Sequence, residues 1–261
     1  MSNPNRWFAA ITSAPRKQPT LGTTISSLKA AGFIRPYVYA EPGTILDACD
    51  AGYIQHTERK GVWRNWVFAV RKALQANREF ALIVQDDLSI HPHSMEVLEH
   101  LFDSPAPRRR GPISVYTPRG YSREHNDVRH PRKQPGIYSV PTDPLWSAVG
   151  FAWRLDDLIE VAHHPIIESW RGHDPQPGQP LSAACNSDVA IGLICQSLGM
   201  KVWFPTPSFG IHTAKYSSIP GHGSNDMRHN RNAEKPADFE SSLFAQLYGC
   251  HPYLGSNNDV S

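Results

Sequence analysis

The chain has 261 residues, of which 40% are hydrophobic and 19% charged, and its formal net charge is +2. This length suffices for one large α/β domain or two small ones, and either would bury a sizeable core. The small net charge argues against a protein whose whole surface binds nucleic acid, so any basic binding surface has to be local.

Cysteine usage and hydropathy bear on the cellular setting. The four cysteines are scattered without a C-x-x-C pair, at Cys49, Cys185, Cys195 and Cys250. This favours free thiols in a reducing compartment over disulfides. The N-terminal apolar run is too short for a signal peptide, and no later run approaches the roughly 20 apolar residues of a membrane span. We therefore expect a soluble, cytoplasmic protein without a membrane span.

Short apolar segments of strand length alternate with helical patterns along the chain. Helices are predicted at 20–32, 61–77 and 186–199, and strands at 7–12, 37–40, 81–84, 113–116, 149–153 and 202–204. This alternation predicts an α/β fold with a Rossmann-like mixed, mostly parallel sheet flanked by helices. We expect one domain with a nucleotide-binding half at 1–102, an acceptor and catalytic half at 103–215, and a C-terminal tail at 216–261.

Two adjacent carboxylates follow the predicted strand "FALIV", in the stretch "FALIVQDDLSIHP". In parallel α/β sheets ligands bind beyond the carboxyl ends of the strands, which is where Asp86 and Asp87 are expected. Neighbouring carboxylates repel each other unless a cation neutralises them, so the pair indicates a site for Mg²⁺ or Mn²⁺. The alternative is that one acid caps the next helix while the other faces water.

Four motifs in chain order carry a resemblance to a known enzyme family. They are "AITSAPR", "LIVQDD" after an amphipathic helix, "SAVGFAWRLDDL", and "NSDVAIGLICQSLGMKVWFPTP" followed by "FGIH". In this order the sequence resembles the family 2-like GT-A glycosyltransferases over most of its length. The resemblance implies a GT-A fold, Mn²⁺ or Mg²⁺, and a nucleotide-sugar donor, with a UDP-sugar favoured. One departure is Gln85, which occupies the first position of the D-x-D metal motif.

The resemblance also assigns roles to residues. Asp87 is expected to be the main metal ligand and His212 another, while Asp86 contacts ribose or reaches the metal through water. Asp188, at the start of a predicted helix, is implied as the general base of an inverting sugar transfer. Plainer alternatives stay open, because His212 could be a hydrogen-bonded loop histidine and Asp188 could only stabilise the helix dipole.

Further candidates follow the other predicted strands. On the donor side they are Thr12, Arg16, Glu41 and Asn65, with Arg16 expected to pair with phosphate through its planar guanidinium. On the acceptor side they are Tyr116, Arg119 and the stacking residue Trp146. Each could equally be an ordinary turn, surface or core residue. The acceptor itself stays open among a glycan, a small molecule and a modified nucleic acid.

Two other functions are consistent with parts of the sequence. A metal-dependent nucleotidyltransferase or nuclease would use the same carboxylates. A nucleic-acid-binding protein would use the arginine-rich stretches "PRRRG" and "VRHPRKQ", which could contact a phosphate backbone. These stretches also suit solvated loops, because they lack the interleaved aromatic residues typical of single-strand binding.

Overall fold

The computed structural model describes residues 2–46, 51–104, 110–142, 145, 148–170 and 187–213. The strands are β1 (Trp7–Ser13), β2 (Tyr37–Ala40), β3 (Gly52–Gln55), β4 (Phe80–Gln85), β5 (Leu88–Ile90), β6 (Ile113–Ser114), β7 (Gly136–Val140), β8 (Gly150–Arg154), β9 (Val202–Thr206) and β10 (Gly210–His212). The α-helices are α1 (Leu21–Ala30), α2 (Gly61–Ala76), α3 (Ser94–Asp103), α4 (Leu155–Ala162), α5 (Ile166–Ser169) and α6 (Ser187–Ser197).

Eight of these strands form one twisted layer in the order β3-β2-β1-β4-β8-β6-β9-β7. Parallel pairing joins β1 to β2 and β4, β2 to β3, and β6 to β9. Only β8 and β7 run against the others within the described sheet, since both pair antiparallel with their neighbours. The predicted mixed, mostly parallel sheet is therefore confirmed, and the structure adds that β8 is reversed.

Helices cover both faces of the sheet because the strand residues alternate between two cores. On one face, Ile11 of β1 and Leu82 of β4 pack in the same cluster as buried residues of α1 and α3. On the other face, Ala10 and Ile83 belong to a cluster with residues of α2, α4 and α6. Strands buried on both faces read as continuous apolar runs, which is why the sequence located β1, β2 and β4 well.

The predicted helices are also present, with ends explained by local chemistry. The longest, α2, ends at Ala76 because Asn77 adopts a left-handed conformation with φ of 49°. The Asn77 backbone N–H then donates to the carbonyl groups of Ala73 and Leu74. None of the helices in the described part of the chain is long and apolar enough to cross a lipid bilayer.

One of the four cysteines lies within the described ranges. Cys195 is a free thiol buried in α6, and burial, with a smaller effect of the nearby Asp157 charge, raises the pKa of this thiol to about 12. It is therefore a packing residue of low reactivity.

Two helix glycines provide a matched test of the packing. A Cβ on Gly192 of α6 would lie 2.1 Å from the carbonyl oxygen of Thr142, whereas one on Gly22 of α1 would meet nothing within 4 Å. Gly192→Ala should therefore lower the free energy of unfolding by about 1–3 kcal/mol through overpacking. Gly22→Ala should leave it unchanged or raise it by about 0.5–1 kcal/mol through helix propensity. Urea denaturation measures both changes, and equal stability of the two variants would contradict the close approach of α6 to Thr142.

Candidate functional site

The strand register brings the acidic pair to the same edge as the end of β1. Thr12 lies beside Gln85 in the parallel β1–β4 ladder, and the Asp86 N–H extends this pairing by donating to the Thr12 carbonyl at 3.1 Å. The Thr24 hydroxyl of α1 donates to the Asp86 carbonyl at 2.8 Å. Asp86 and Asp87 are thus fixed at the carboxyl edge, where the strand order reverses between β1 and β4.

Both carboxylates are buried, with only 2% of each residue exposed. The Arg16 guanidinium lies between them, with its Nε 2.7 Å and its Nη2 2.5 Å from Asp86 Oδ1. The same Nη2 is 2.8 Å from Asp87 Oδ2. The Ser13 hydroxyl donates to Asp86 Oδ2 at 2.6 Å. A single guanidinium therefore bridges the two acids.

A small antiparallel ladder delivers His212 to Asp87. In the pairing of β10 with β5, His212 lies opposite Leu88, the residue after Asp87. His212 Nε2 is 2.7 Å from Asp87 Oδ2, and Thr213 donates its backbone N–H and its hydroxyl to the Asp87 carbonyl at 2.7 and 3.0 Å. Asp87 Oδ1 is buried and has no hydrogen-bond partner within the described part of the protein.

The two acids have opposite pKa shifts. Burial raises the pKa of Asp86 and outweighs the attraction of Arg16, and the neighbouring Asp87 charge adds to the rise. Burial also opposes ionisation of Asp87, but His212, followed by Arg16, outweighs it and lowers the pKa of Asp87 below its usual value. The pair is coupled, and Asp87 is the member that retains the negative charge more firmly.

A small cleft, open to solvent, lies beside Asp86. Its walls come from the loop after β1, the start of α1 and the turn after β2. The residues that line it are Ser13, Ala14, Pro15, Arg16, Pro19, Thr20, Leu21, Gly43, Thr44, Ile45 and Asp86. Hydroxyl and apolar groups thus surround the cleft, and the charged cluster forms one end.

The donor-side candidates divide into two groups. Arg16 and Asp86 line the cleft. Glu41 does not line it; its side chain accepts from the Lys60 N–H at 2.8 Å, and its carbonyl accepts from Thr44. It therefore supports the wall that Thr44 forms.

Thr12 and Asn65 are held inside the fold. The Thr12 hydroxyl donates to the Val84 carbonyl at 3.3 Å. The Asn65 side chain donates to the Tyr39 carbonyl at 2.9 Å and lies 3.0 Å from His56 Nε2. Neither residue is part of the cleft lining. Asn65 ties α2 to the end of β2.

The second half of the chain contributes Tyr116. Its ring centre lies 6.1 Å from that of His212, and burial, reinforced by the Asp87 charge, raises the pKa of its phenol. Arg119 is exposed on the loop beyond it. Asp188 lies in the first turn of α6 and is half-buried. Trp146 and the C-terminal tail lie outside the described residues, as do 171–186 before α6.

Asp87 and His212 could act as ligands of a divalent cation whose remaining coordination positions are filled by substrate. Asp87 Oδ2 and His212 Nε2 are hydrogen-bonded at 2.7 Å; once that bond is given up, one octahedral ion could contact both, because two cis ligands at about 2.1 Å from such an ion are roughly 3 Å apart. Asp87 Oδ1 adds a buried oxygen that lacks a partner among the described residues. The described chain contains no cluster of three or more metal-ligating side chains, and Mg²⁺ commonly uses one or two carboxylates together with substrate phosphates.

Sequence reasoning did not single out Ser13, Thr20 or the Gly43–Ile45 turn as separate site residues. A signal for the turn exists in "EPGT", because Pro-Gly after a strand marks a tight turn, and Gly43 has φ of 81°. The bond from Ser13 to Asp86 crosses 73 residues, and local sequence carries no signal for it.

Together these features define a Rossmann-like α/β protein with a cleft and a buried acidic pair at the carboxyl edge of its sheet. No protein-family model matches the chain, and no curated protein matches its sequence significantly. The geometry of the site therefore carries the functional argument.

The lowered pKa of Asp87 gives a pH-dependent prediction. At pH values near the usual pKa of 3.8, Asp87 binds more protons in the unfolded chain than in the folded protein. Asp87 therefore stabilises the fold above about pH 4 and less below it. Asp87→Asn should lower the free energy of unfolding at pH 7 by roughly 3 kcal/mol, because it leaves buried charge without its partner. Urea denaturation from pH 7 down to pH 3 should show that the difference in stability between wild type and Asp87→Asn becomes smaller in acid.

The control for this experiment is Asp103→Asn. Asp103 pairs with Arg6 at the surface, where solvent screens the interaction, so its loss at pH 7 should be much smaller. A difference between wild type and Asp87→Asn that stayed constant from pH 7 to pH 3 would contradict the lowered pKa.

Proposed function

We propose that this protein is a glycosyltransferase that moves a sugar from a nucleotide-diphosphate sugar to an acceptor hydroxyl. The observation that carries the proposal is the acidic pair at the β1–β4 switch point, adjoining a cleft and joined to His212. Crevices at such switch points are where open α/β sheets bind nucleotides. The order of the sequence motifs, which resembles that of GT-A glycosyltransferases, supports the same conclusion.

The donor nucleoside occupies the cleft between the loop after β1 and the turn after β2. Pro15, Pro19 and Ile45 provide apolar surface for a base, and Thr44 also lines the cleft. Arg16 and the acidic pair lie at one end, so the diphosphate of a bound donor points towards them. A UDP-sugar is the favoured donor.

Asp87 and His212 are the protein groups that would hold a divalent cation, and Asp86 lies next to them. Bound there, Mn²⁺ or Mg²⁺ would neutralise the charge that builds up on the departing nucleoside diphosphate. Asp87 is suited to this role because it lies against His212 and because its Oδ1 is buried without a partner among the described residues. Neutral imidazole is a better ligand for Mn²⁺ than for Mg²⁺.

Asp188 is the proposed general base, which takes the proton from the acceptor hydroxyl as its oxygen bonds to the anomeric carbon and the nucleoside diphosphate leaves; this direct displacement inverts the configuration. Its place in the first turn of α6 favours the ionised carboxylate, because the positive end of the helix dipole stabilises negative charge. Tyr116 lies on the acceptor side of His212. Its raised pKa, from burial and the Asp87 charge, keeps the phenol protonated and able to donate a hydrogen bond.

The first test is thermal unfolding against a panel of nucleotides and nucleotide sugars, with and without Mn²⁺. A ligand present at 100 times its dissociation constant stabilises the folded state by about 2.7 kcal/mol. We expect a shift in Tm with one class of nucleotide-diphosphate sugar that grows when Mn²⁺ is added. Asp87→Asn should lose the Mn²⁺-dependent part, whereas Glu160→Gln, which alters an exposed pair with Arg110, should respond like wild type. Responses to DNA or RNA alone would contradict the proposal.

The role of Asp188 is tested by kinetics. Asp188→Asn should reduce kcat by about 10²–10⁴-fold, the usual contribution of a general base, with little change in donor binding. Asp156→Asn is a matched control because Asp156 is exposed and also lies in the first turn of a helix, α4. It should keep wild-type turnover, with a loss of stability that includes the helix-dipole effect of about 0.3–1 kcal/mol. Wild-type turnover in Asp188→Asn would rule out the base.

A further inference from the structure

We propose that Arg16 is the resident counter-ion of the Asp86–Asp87 pair and that a divalent cation binds there by displacing its guanidinium. This inference rests on the proposed function, because it takes the acidic pair to be a cation site. It adds a second role to Arg16, which sets how tightly the protein binds metal before the donor arrives.

The contacts of Arg16 are those of a built-in partner. Its side chain is 7% exposed and those of both aspartates are 3% exposed, so all three groups lie out of solvent. The guanidinium contacts Asp86 Oδ1 through two nitrogens and Asp87 Oδ2 through one. Two buried carboxylates beside one another need such a partner, because an unpaired buried charge is strongly destabilising.

The four carboxylate oxygens show why the guanidinium and a metal compete. Asp86 Oδ1 is taken by Arg16 and Asp86 Oδ2 by Ser13. Asp87 Oδ2 contacts both Arg16 and His212. Of these four oxygens, Asp87 Oδ1 is the one without a hydrogen-bond partner among the described residues. A cation that used Asp87 Oδ1 together with an oxygen that Arg16 contacts would compete with the guanidinium, and its charge repels the adjacent guanidinium.

The cleft provides a new place for the displaced side chain. Arg16 lines the cleft together with Asp86, so its guanidinium can turn from the carboxylates to a bound diphosphate. Phosphate oxygens match the planar guanidinium as well as carboxylates do. Metal and diphosphate should then bind cooperatively, because the diphosphate stabilises the arrangement in which Arg16 has left the acidic pair.

The experiment is calorimetric titration of MnCl₂ into the full chain without nucleotide. We compare wild type with Arg16→Gln, which removes the guanidinium charge, and with Lys17→Gln, which removes an equal charge from an exposed side chain of the same loop. Arg16→Gln should bind Mn²⁺ at least about tenfold more tightly than wild type, a difference of about 1.4 kcal/mol. Mn²⁺ should also raise its Tm by more than it raises that of wild type. Lys17→Gln should match wild type in both.

Equal Mn²⁺ affinity in wild type and Arg16→Gln, or no binding to either, would overturn the inference. If Arg16→Gln lacks a cooperative unfolding transition, Arg16→Lys takes its place. Arg16→Lys keeps the positive charge but not the planar guanidinium, and it should bind Mn²⁺ more tightly than wild type.

A second titration with a UDP-sugar present separates this inference from the proposed function. Tighter Mn²⁺ binding by Arg16→Gln, with no response of any variant to nucleotide sugars, would support the counter-ion role and contradict the glycosyltransferase. A wild-type Mn²⁺ affinity that rises with the UDP-sugar, and rises less in Arg16→Gln, would support both. Donor binding to wild type without any gain of Mn²⁺ affinity in Arg16→Gln would overturn the counter-ion role alone.

Discussion

Two buried carboxylates need a positive charge beside them, and the architecture around Asp86 and Asp87 is organised to provide it. Arg16 reaches both acids from the loop after β1, while His212 reaches Asp87 from β10. The approach of Arg16 requires the ends of β1 and β4 to lie side by side, whereas that of His212 follows from the pairing of β10 with β5. The charge balance of the site therefore depends on the register of the central strands. A shift of one residue in that register would turn the acids towards the opposite face of the sheet.

The rest of the fold supports this edge from three directions. Thr24 fixes the chain turn at Asp86 from α1, and Thr213 fixes Asp87 from beyond β10. Glu41 and Asn65 connect the end of β2 to the start and body of α2. Each bond joins a side chain to a backbone group, and those of Thr24 and Thr213 hold the chain where it leaves β4.

The sequence carried enough information for the layers of the fold and for the position of the acidic pair. Buried strands such as β2 read as continuous apolar runs, and α2 shows a clear helical period. The short edge strand β3 was missed because its residues are mostly exposed and follow no such pattern. The reversal of β8 was missed because an apolar run does not encode strand direction. Arg16 was predicted to meet phosphate, and its contact with Asp86 spans 70 residues, a separation that local patterns do not report.

The reversed strand β8 brings the beginning of a strand to an edge where the parallel strands end. Because β8 runs against β4, the site edge holds the end of β4 and the beginning of β8, where Gln85 bonds to the carbonyl groups of Ala148 and Val149. The segment that leads into β8 can therefore be exchanged in protein engineering without altering the loops after β1 and β2 that form the cleft.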